Sequence, residues 1–190
     1  MRIVLASRNA HKAREFAALL APHELVALPG DVELPPETGD TFEENALVKA
    51  RAAAAATGLP AVGDDSGIEA AALGGRPGVR SARYAGEAAT DGENLAKLLR
   101  EAPAGSALAY ACALAYAEPR GGVEHVVVGR CTGTLAAAPR GDGGFGYDPA
   151  FLPDDVPDGR TMAELSPQEK DAISHRGRAA RELLALLSEG

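Results

Sequence analysis

The sequence has few cysteines and no long hydrophobic run, and both shortages limit what the protein can be. Its two cysteines, Cys112 and Cys131, lie in apolar, strand-like segments, where buried free thiols in a reducing cytoplasm are the expected state. No apolar stretch approaches the roughly 20 residues that span a bilayer. Met1 and Arg2 lead directly into a short strand-like run rather than a secretory signal. We therefore expect a cytoplasmic protein with no membrane partner.

Positive charge is also scarce. The 19 Lys and Arg residues are outnumbered by 27 Asp and Glu residues, which gives a net charge of −8. This balance argues against a general nucleic-acid binder, since such proteins neutralise many phosphates. A small anionic ligand remains compatible with it, because that needs only a local cluster of Lys and Arg, or a metal ion.

Aromatic residues make up only 4% of the sequence, whereas alanine is used heavily. We therefore expect much of the packing to be small and tight. A chain of 190 residues is long enough to bury a substantial core in one domain, taken as residues 1–190.

Helical and strand-like segments alternate along the chain. The patterns predict strands at 2–6, 24–28, 107–118 and 123–135, the last two as an antiparallel hairpin. They predict helices at 11–20, 41–57, 90–100 and 174–188, and capping boxes at 41–44, 90–93 and 166–169. Because helices alternate with strands and one hairpin is present, the fold class is α/β with a mixed sheet.

The most informative segment is Val-Gly-Asp-Asp-Ser-Gly at 62–67. An apolar run, interpreted as a strand that ends at Val62, leads directly into two carboxylates. Ionised carboxylates buried without partners are very costly, and paired acids at a strand end often hold a divalent cation and activate water. A solvated turn is the alternative interpretation.

Three further segments carry candidate chemistry. Residues 7–12 place a polar loop and Lys12 at a helix start, which favours an anion. Residues 143–149 surround two aromatic rings with glycines, which lets a flat ligand approach and stack. Lys170 and residues 174–176 supply hydrogen-bond donors near the junction of two helices. The first signal is weak by itself, because many α/β proteins start in this way. A hairpin loop with a core Phe is the alternative for the second segment, and a surface cluster is the alternative for the third.

In this order, these segments resemble the inosine triphosphate pyrophosphatase family over nearly the whole length. The motifs are Ser-x-Asn-x-x-Lys-x-x-Glu from Ser7, Thr-Phe-x-Glu-Asn-Ala-x-x-Lys-Ala from Thr41, Asp-Asp-Ser-Gly from Asp64, Leu-Gly-Gly-x-Pro-Gly from Leu73, Ser-Ala-Arg-Tyr from Ser81, Gly-Phe-Gly-Tyr-Asp-Pro from Gly144 and Lys-x-Ala-x-Ser-His-Arg from Lys170. The resemblance implies hydrolysis of ITP, dITP or XTP to the monophosphate and pyrophosphate with Mg²⁺. It also implies a homodimer, and a mixed sheet flanked by helices in two lobes with a cleft between them.

The resemblance also implies roles for particular residues. Asp65 would be the general base and would hold Mg²⁺ with Asp64 beside it; Pro36 falls where the family's further metal-binding Glu most often sits, and the adjacent Glu37 is the candidate substitute. The triphosphate would be contacted by Ser7, Arg8, Asn9, Ala10, His11 and Lys12, with Lys49 and Ser66 also at the substrate. The base would stack on Phe145 and be surrounded by Gly146, Tyr147, Asp148, Lys170, His175 and Arg176.

Two alternative functions stay open. A related Maf-like pyrophosphatase would share the fold and the opening loop but act on modified nucleotides; the Phe-Gly-Tyr-Asp and Ser-His-Arg motifs argue against it. A nucleotide-binding module without catalysis is the other alternative, and the presence of Asp64, Asp65, Lys12 and Lys49 together argues against that.

Overall fold

A mixed six-stranded sheet flanked by helices organises the chain in a computed structural model that describes residues 1–188. The strands are β1 (Arg2–Leu5), β2 (Glu24–Ala27), β3 (Ala61–Ala70), β4 (Ala107–Ala117), β5 (Glu124–Leu135) and β6 (Phe151–Pro153). The helices are α1 (Ala10–Leu19), α2 (Phe42–Thr57), α3 (Asp91–Glu101), α4 (Pro167–Ile173) and α5 (His175–Ser188). The strand order is β2-β1-β3-β4-β5-β6. β1 is parallel to β2 and β3, whereas β5 and β6 are antiparallel, which confirms the predicted α/β class.

The chain forms two compact units. Unit 1 comprises Met1–Asp65, Cys112–Gly129 and the segment from His175 onward, and unit 2 comprises Ser66–Ala111 and Arg130–Ser174. The boundaries fall within β3, β4 and β5 and between α4 and α5. The expectation of one domain over residues 1–190 stays a prediction.

In unit 1, the helices pack closely because the facing positions are small. A Cβ atom on Gly63 of β3 would lie 2.8 Å from the backbone nitrogen of Ala50 in α2, and one on Gly129 of β5 would lie 2.5 Å from that of Ala179 in α5. Such separations leave no room for a side chain, so β3 and β5 approach the helix backbones directly. This is the small, tight packing that the alanine content predicts, and Phe16 of α1 and Tyr116 of β4 supply large rings to this core.

The core of unit 2 uses larger side chains. Ile68, Leu98 and Phe151 are buried there with two tyrosines, Tyr110 and Tyr147. Both cysteines are buried and free, Cys112 in unit 1 and Cys131 in unit 2. No helix within residues 1–188 is long and apolar enough to cross a membrane.

Two of the predicted capping boxes form in full, and the helices begin where they predict. Thr90 and Ser166 each form a full capping box with the glutamate three residues on. At Thr41 only half of the box forms: its hydroxyl accepts from the amide of Glu44, while the Glu44 carboxylate accepts from the amide of Asp40 at 3.0 Å. Ser174 ends α4 rather than beginning α5.

The strand that leads into the acid pair was predicted wrongly. We expected it to end at Val62, but β3 continues to Ala70, so both carboxylates lie inside the strand. The sequence also gave no signal for the short strand β6, which ends in Pro153. Charged and amide side chains from neighbouring helices explain how β3 tolerates its two acids.

Candidate active site

Asp64 and Asp65 are consecutive residues of a strand, and consecutive side chains of a strand point to opposite faces. Asp64 has no exposed surface and Asp65 is 5% exposed. Asp65 shares the α2 side of β3 with Gly63, whereas Asp64 points toward side chains of α1 and α5. The two carboxylates therefore have separate sets of partners within unit 1.

Asp64 is held by cations. Its Oδ2 atom lies 2.8 Å from Nζ of Lys12 and 4.0 Å from Nε of Arg176. Burial alone would raise the pKa of Asp64, but the positive charges of Lys12, Lys49 and Arg176 outweigh it and hold the pKa below its ordinary value. The Oδ1 atom of Asp64 is buried, and no group within residues 1–188 donates a hydrogen bond to it.

Asp65 is placed by the amide of Asn45, whose Nδ2 donates to Oδ2 at 2.9 Å. Burial raises the pKa of Asp65 to about 6, and the nearby negative charge of Glu37 adds to the rise, while Lys49 and Asn45 oppose it. A carboxyl group with a pKa near neutrality can take up a proton at working pH, as a general base must.

Lys49 links the acid pair to the loop before α2. Its ammonium group lies 2.5 Å from Oε1 of Glu37 and also donates to the backbone carbonyl of Asp64. Burial alone would lower the pKa of Lys49, yet the charges of Asp64 and Glu37 leave it raised. Lys49, predicted to contact the substrate, and Glu37, predicted to bind the metal, therefore form an ion pair with each other in this structure.

The acids can hold a divalent cation only with help from other ligands. Within residues 1–188, no three of the His, Cys, Asp and Glu side chains form a metal-binding group. Mg²⁺ is commonly bound by one or two carboxylates together with water and substrate phosphates. Two features fit a divalent cation: Asp65 and Glu37 repel each other, and no group within residues 1–188 donates to the buried Oδ1 of Asp64.

The start of α1 uses its backbone donors internally. Oδ1 of Asn9 accepts from the amides of His11 at 2.9 Å and Lys12 at 3.2 Å, and Oγ of Ser7 accepts from the amide of Asn9 at 3.2 Å. The sequence predicted these amides as donors to an anion, whereas here they cap the helix, with Ala10 as its first residue. The predicted phosphate contacts of this segment stay a prediction.

Arg8 fastens a loop. A single terminal nitrogen of its guanidinium donates to the carbonyl oxygens of Pro29, Gly30 and Val32, at 3.4, 3.2 and 2.7 Å. The sequence predicted Arg8 as a triphosphate contact; in the structure it ties the loop that leads toward Glu37. This loop and the start of α1 line a cavity of about 450 Å³, bounded by Ala6, Ser7, Arg8, Lys12, Glu33, Leu34, Glu37 and Lys49.

Arg176 belongs to this charged network of unit 1. One terminal nitrogen of Arg176 donates to Oε2 of Glu15 at 3.1 Å, and the neighbouring His175 is 2% exposed. The resemblance assigned both residues to the base. Glu15 is the last residue of the motif that begins at Ser7, and no sequence pattern identifies it as the partner of Arg176.

Unit 2 holds the other predicted substrate residues around Asp148. Oδ2 of this buried carboxylate accepts from Nζ of Lys170 at 2.8 Å and from the amide of Phe145 at 2.9 Å. Nζ of Lys170 also lies 5.3 Å from the centre of the half-buried Phe145 ring. Gly144 has a φ of +69°, and its Cβ position lies 2.9 Å from Cγ of Asp148, so only glycine fits there.

Two tyrosines complete this part of unit 2. Tyr147 was predicted to line the base pocket; its buried hydroxyl donates to the carbonyl of Ser81 at 2.7 Å, so the ring belongs to the core. Tyr110, which the sequence reasoning missed, donates to Oδ1 of Asp148 at 3.0 Å. The amide of Gly146 donates to Asp91 at 2.9 Å, and Ser66, in β3, is partly exposed.

The Ham1 family profile matches residues 3–186. The chain belongs to the Ham1 family. Among its relatives, a dITP/XTP pyrophosphatase of Frankia alni is 52% identical, with 100% of this chain and 98% of the relative covered. A dITP/XTP pyrophosphatase of Mycobacterium tuberculosis is 51% identical, with 98% and 95% covered.

Solved structures agree with this assignment. A HAM1 protein from Coxiella burnetii superposes with a TM-score of 0.87 at 44% identity, covering 100% of both chains. The Ham1 protein of Staphylococcus aureus gives 0.84 at 38% identity, covering 100% of this chain and 99% of that one. The fold of this Ham1 chain is therefore that of its family.

Proposed function

We propose that this protein hydrolyses aberrant purine nucleoside triphosphates, namely ITP, dITP and XTP, to the monophosphate and pyrophosphate. The observation that carries the proposal is the match, over nearly the full length and at about half identity, to proteins named dITP/XTP pyrophosphatase. The buried acid pair with its lysines supplies the chemistry such a reaction needs.

In unit 1, we assign Asp65 as the general base that takes a proton from the attacking water. Its raised pKa and its fixed contact with Asn45 support that role. Lys12, Lys49 and the segment 7–12 would bind the triphosphate, because ammonium groups and polar donors offset phosphate charge. Ser66, next to the base in sequence, would contact the substrate.

Asp65 and Glu37, whose negative charges lie close together, are the residues that would hold Mg²⁺. Asp64, whose side chain lies on the opposite face of β3, is assigned as a further ligand on the family resemblance alone. When bound, Mg²⁺ would acidify the attacking water and neutralise charge on the leaving pyrophosphate. Lys49, whose ammonium group lies beside Glu37, would neutralise charge on the substrate phosphates.

In unit 2, we assign recognition of the base to Phe145, Gly146, Tyr147, Asp148 and Lys170. For His175 and Arg176, in unit 1, the family resemblance alone supports a role as donors to the base. The Phe145 ring offers a stacking face. A fixed lysine donor suits the O6 acceptor of hypoxanthine or xanthine. Adenine presents an amino group there, and the unpaired donors that result can discriminate by several orders of magnitude.

A homodimer in the cytoplasm without a nucleic-acid partner completes the proposal. The net charge of −8 supports the absence of nucleic acid, and the family resemblance supports the dimer. Light scattering coupled to size exclusion tests the dimer, and a mass near 19.4 kDa would contradict it.

The deciding experiment measures pyrophosphate release from ITP, XTP, dITP, GTP, ATP and dTTP, first with Mg²⁺ and then with a chelator. We expect release from ITP, XTP and dITP alone, and its loss with the chelator. Release from the pyrimidine nucleotide dTTP would move the protein to the Maf-like alternative. Tight binding without release from any substrate would favour the non-catalytic module.

A further inference from the structure

We propose that Tyr110 is a positioning residue for base recognition: through Asp148, its hydroxyl fixes the ammonium group of Lys170. Tyr110 lies in β4, 38 residues before Asp148, and belongs to none of the motifs described above. The inference rests on the proposed function, because it assigns the arrangement in unit 2 to the recognition of a purine base.

The carboxylate of Asp148 receives donors from three separate parts of unit 2. Oδ2 accepts from the ammonium group of Lys170, in α4, and from the amide of Phe145, in the glycine-rich loop. Oδ1 accepts from the hydroxyl of Tyr110. Three of the four or so acceptor positions of a carboxylate are thereby used, and both of its oxygens are fixed.

Burial makes each of these contacts matter. Asp148 is 3% exposed and Lys170 is 6% exposed, so water cannot substitute readily for a lost donor. Without the Tyr110 hydroxyl, Oδ1 loses the donor that fixes the carboxylate plane. The carboxylate can then rotate, and Lys170 and the Phe145 amide lose their common anchor.

The position of Lys170 should govern the binding of the purine base rather than the cleavage of the triphosphate. Its ammonium group lies above the ring of Phe145, the residue assigned to stack on the purine. Asp65, the assigned general base for the attacking water, lies in unit 1. A displaced Lys170 would therefore weaken the hydrogen bond to the 6-oxo group and leave the attack of water unchanged. This separates an effect on KM from an effect on kcat.

The test substitutes Tyr110→Phe, which keeps the ring and its contact with Phe151 at a centroid distance of 4.7 Å. We expect the KM for ITP to rise roughly tenfold, as for a hydrogen bond to a charged group, with kcat within about twofold of the parent. Tyr116→Phe is the matched control: Tyr116 is equally buried in β4, but it belongs to the core of unit 1 and its hydroxyl donates to Glu118.

A double-mutant cycle separates positioning from general loosening of the core. If Tyr110 acts through Asp148, Tyr110→Phe should raise KM by less than about twofold in a protein that already carries Asp148→Ala, which removes the acceptor of the Tyr110 hydroxyl. An equal rise in both backgrounds, an unchanged KM in the single variant, or a fall in kcat alone would overturn the inference. If Tyr110→Phe fails to fold, Asp148→Asn must still raise KM at unchanged kcat, and a loss of kcat alone would overturn it.

The two proposals fail differently. If the parent protein releases no pyrophosphate from ITP, the proposed function fails. If the parent hydrolyses ITP and Tyr110→Phe behaves like Tyr116→Phe, only the role of Tyr110 fails.

Discussion

The hydroxyl of Ser81 accepts a hydrogen bond from the amide of Ile68 at 2.8 Å and so ties the segment 78–83 to β3. The same hydroxyl donates to the carbonyl of Gly78 at 2.6 Å. The side-chain position of the preceding residue, Gly67, is filled by this arrangement: its Cβ would lie 3.0 Å from Cβ of Ser81 and closer still to the Ser81 hydroxyl and the Gly78 carbonyl. The glycine after the acid pair is therefore a packing requirement of unit 2.

Gly67→Ala should destabilise the protein, because the backbone of segment 78–83 must move to admit a methyl group. We expect a loss of about 1–3 kcal/mol in the free energy of unfolding, measured by urea denaturation. Gly92→Ala is the control, with the opposite expected sign: apart from its chain neighbours and the backbone of its own helix, no atom of residues 1–188 lies within 4 Å of its Cβ position. It lies in α3, where alanine is favoured over glycine by up to about 1 kcal/mol. An unchanged or raised stability in Gly67→Ala would contradict the packing argument.

The ion pair of Lys12 with Asp64 gives a pH-dependent prediction. Lys12→Met removes a partner of a fully buried carboxylate, and breaking such a pair is strongly destabilising. We expect a loss of about 3 kcal/mol near pH 7.5, measured by urea denaturation in a chelator. Arg2→Met is the control: the Arg2–Glu24 pair is exposed, with 3.6 Å between the charged atoms, and its loss should cost less than about 1 kcal/mol.

The sign of the pH dependence follows from the pKa of Asp64. In the parent protein this pKa is lowered, so the charged carboxylate stabilises the fold above its ordinary pKa and ceases to do so as the pH falls through the lowered value. In Lys12→Met, burial is less opposed and the pKa of Asp64 rises. The variant therefore takes up a proton first, and its deficit should shrink as the pH falls from 7.5 through the raised pKa of Asp64 in the variant. A deficit that stays constant would show that the charge of Asp64 is not its cause.

The elements predictable from the sequence are those with local causes. The helices after Thr90 and Ser166 were predicted because the capping residues and the groups they bond lie within three positions of each other. The length of β3 was not predicted, because Asp64 and Asp65 are tolerated inside the strand only through their contacts with Lys12 of α1 and Asn45 of α2. Those contacts form only when the helices pack against the sheet.

The residues of the candidate site were predictable from the sequence, whereas most of their contacts were not. Residue types and motif order identified the acid pair, the lysines and the loop around Phe145. They could not show that Arg8 bonds the carbonyls of the loop at 29–32, or that the Asn9 side chain occupies the first amides of α1. Tyr110 was missed because a buried tyrosine on a strand indicates only that its hydroxyl has some partner; which partner is decided by the position of the loop that carries Asp148.

Asp65→Asn should lower turnover and raise the free energy of unfolding, because the charged carboxylate of Asp65 serves catalysis but destabilises the fold. The amide oxygen of the substituted residue can still accept from Asn45, so binding of ITP should be largely preserved, while turnover falls by about 10²–10⁴-fold with the loss of the base. Because burial and Glu37 raise the pKa of Asp65 to about 6, the charged form destabilises the folded protein at pH 8. The neutral side chain should then raise the free energy of unfolding by about 1–3 kcal/mol in a chelator.

This gain has a defined pH range and a matched control. The folded protein holds the proton of Asp65 to a higher pH than the unfolded chain does, so the difference between variant and parent should vanish below about pH 4, where both states of the parent are protonated. Asp40→Asn changes an exposed carboxylate in the same unit and should alter neither turnover nor stability. Full turnover in Asp65→Asn would remove the assigned base, and a variant less stable than the parent at pH 8 would show that Asp65 is stabilised as an anion.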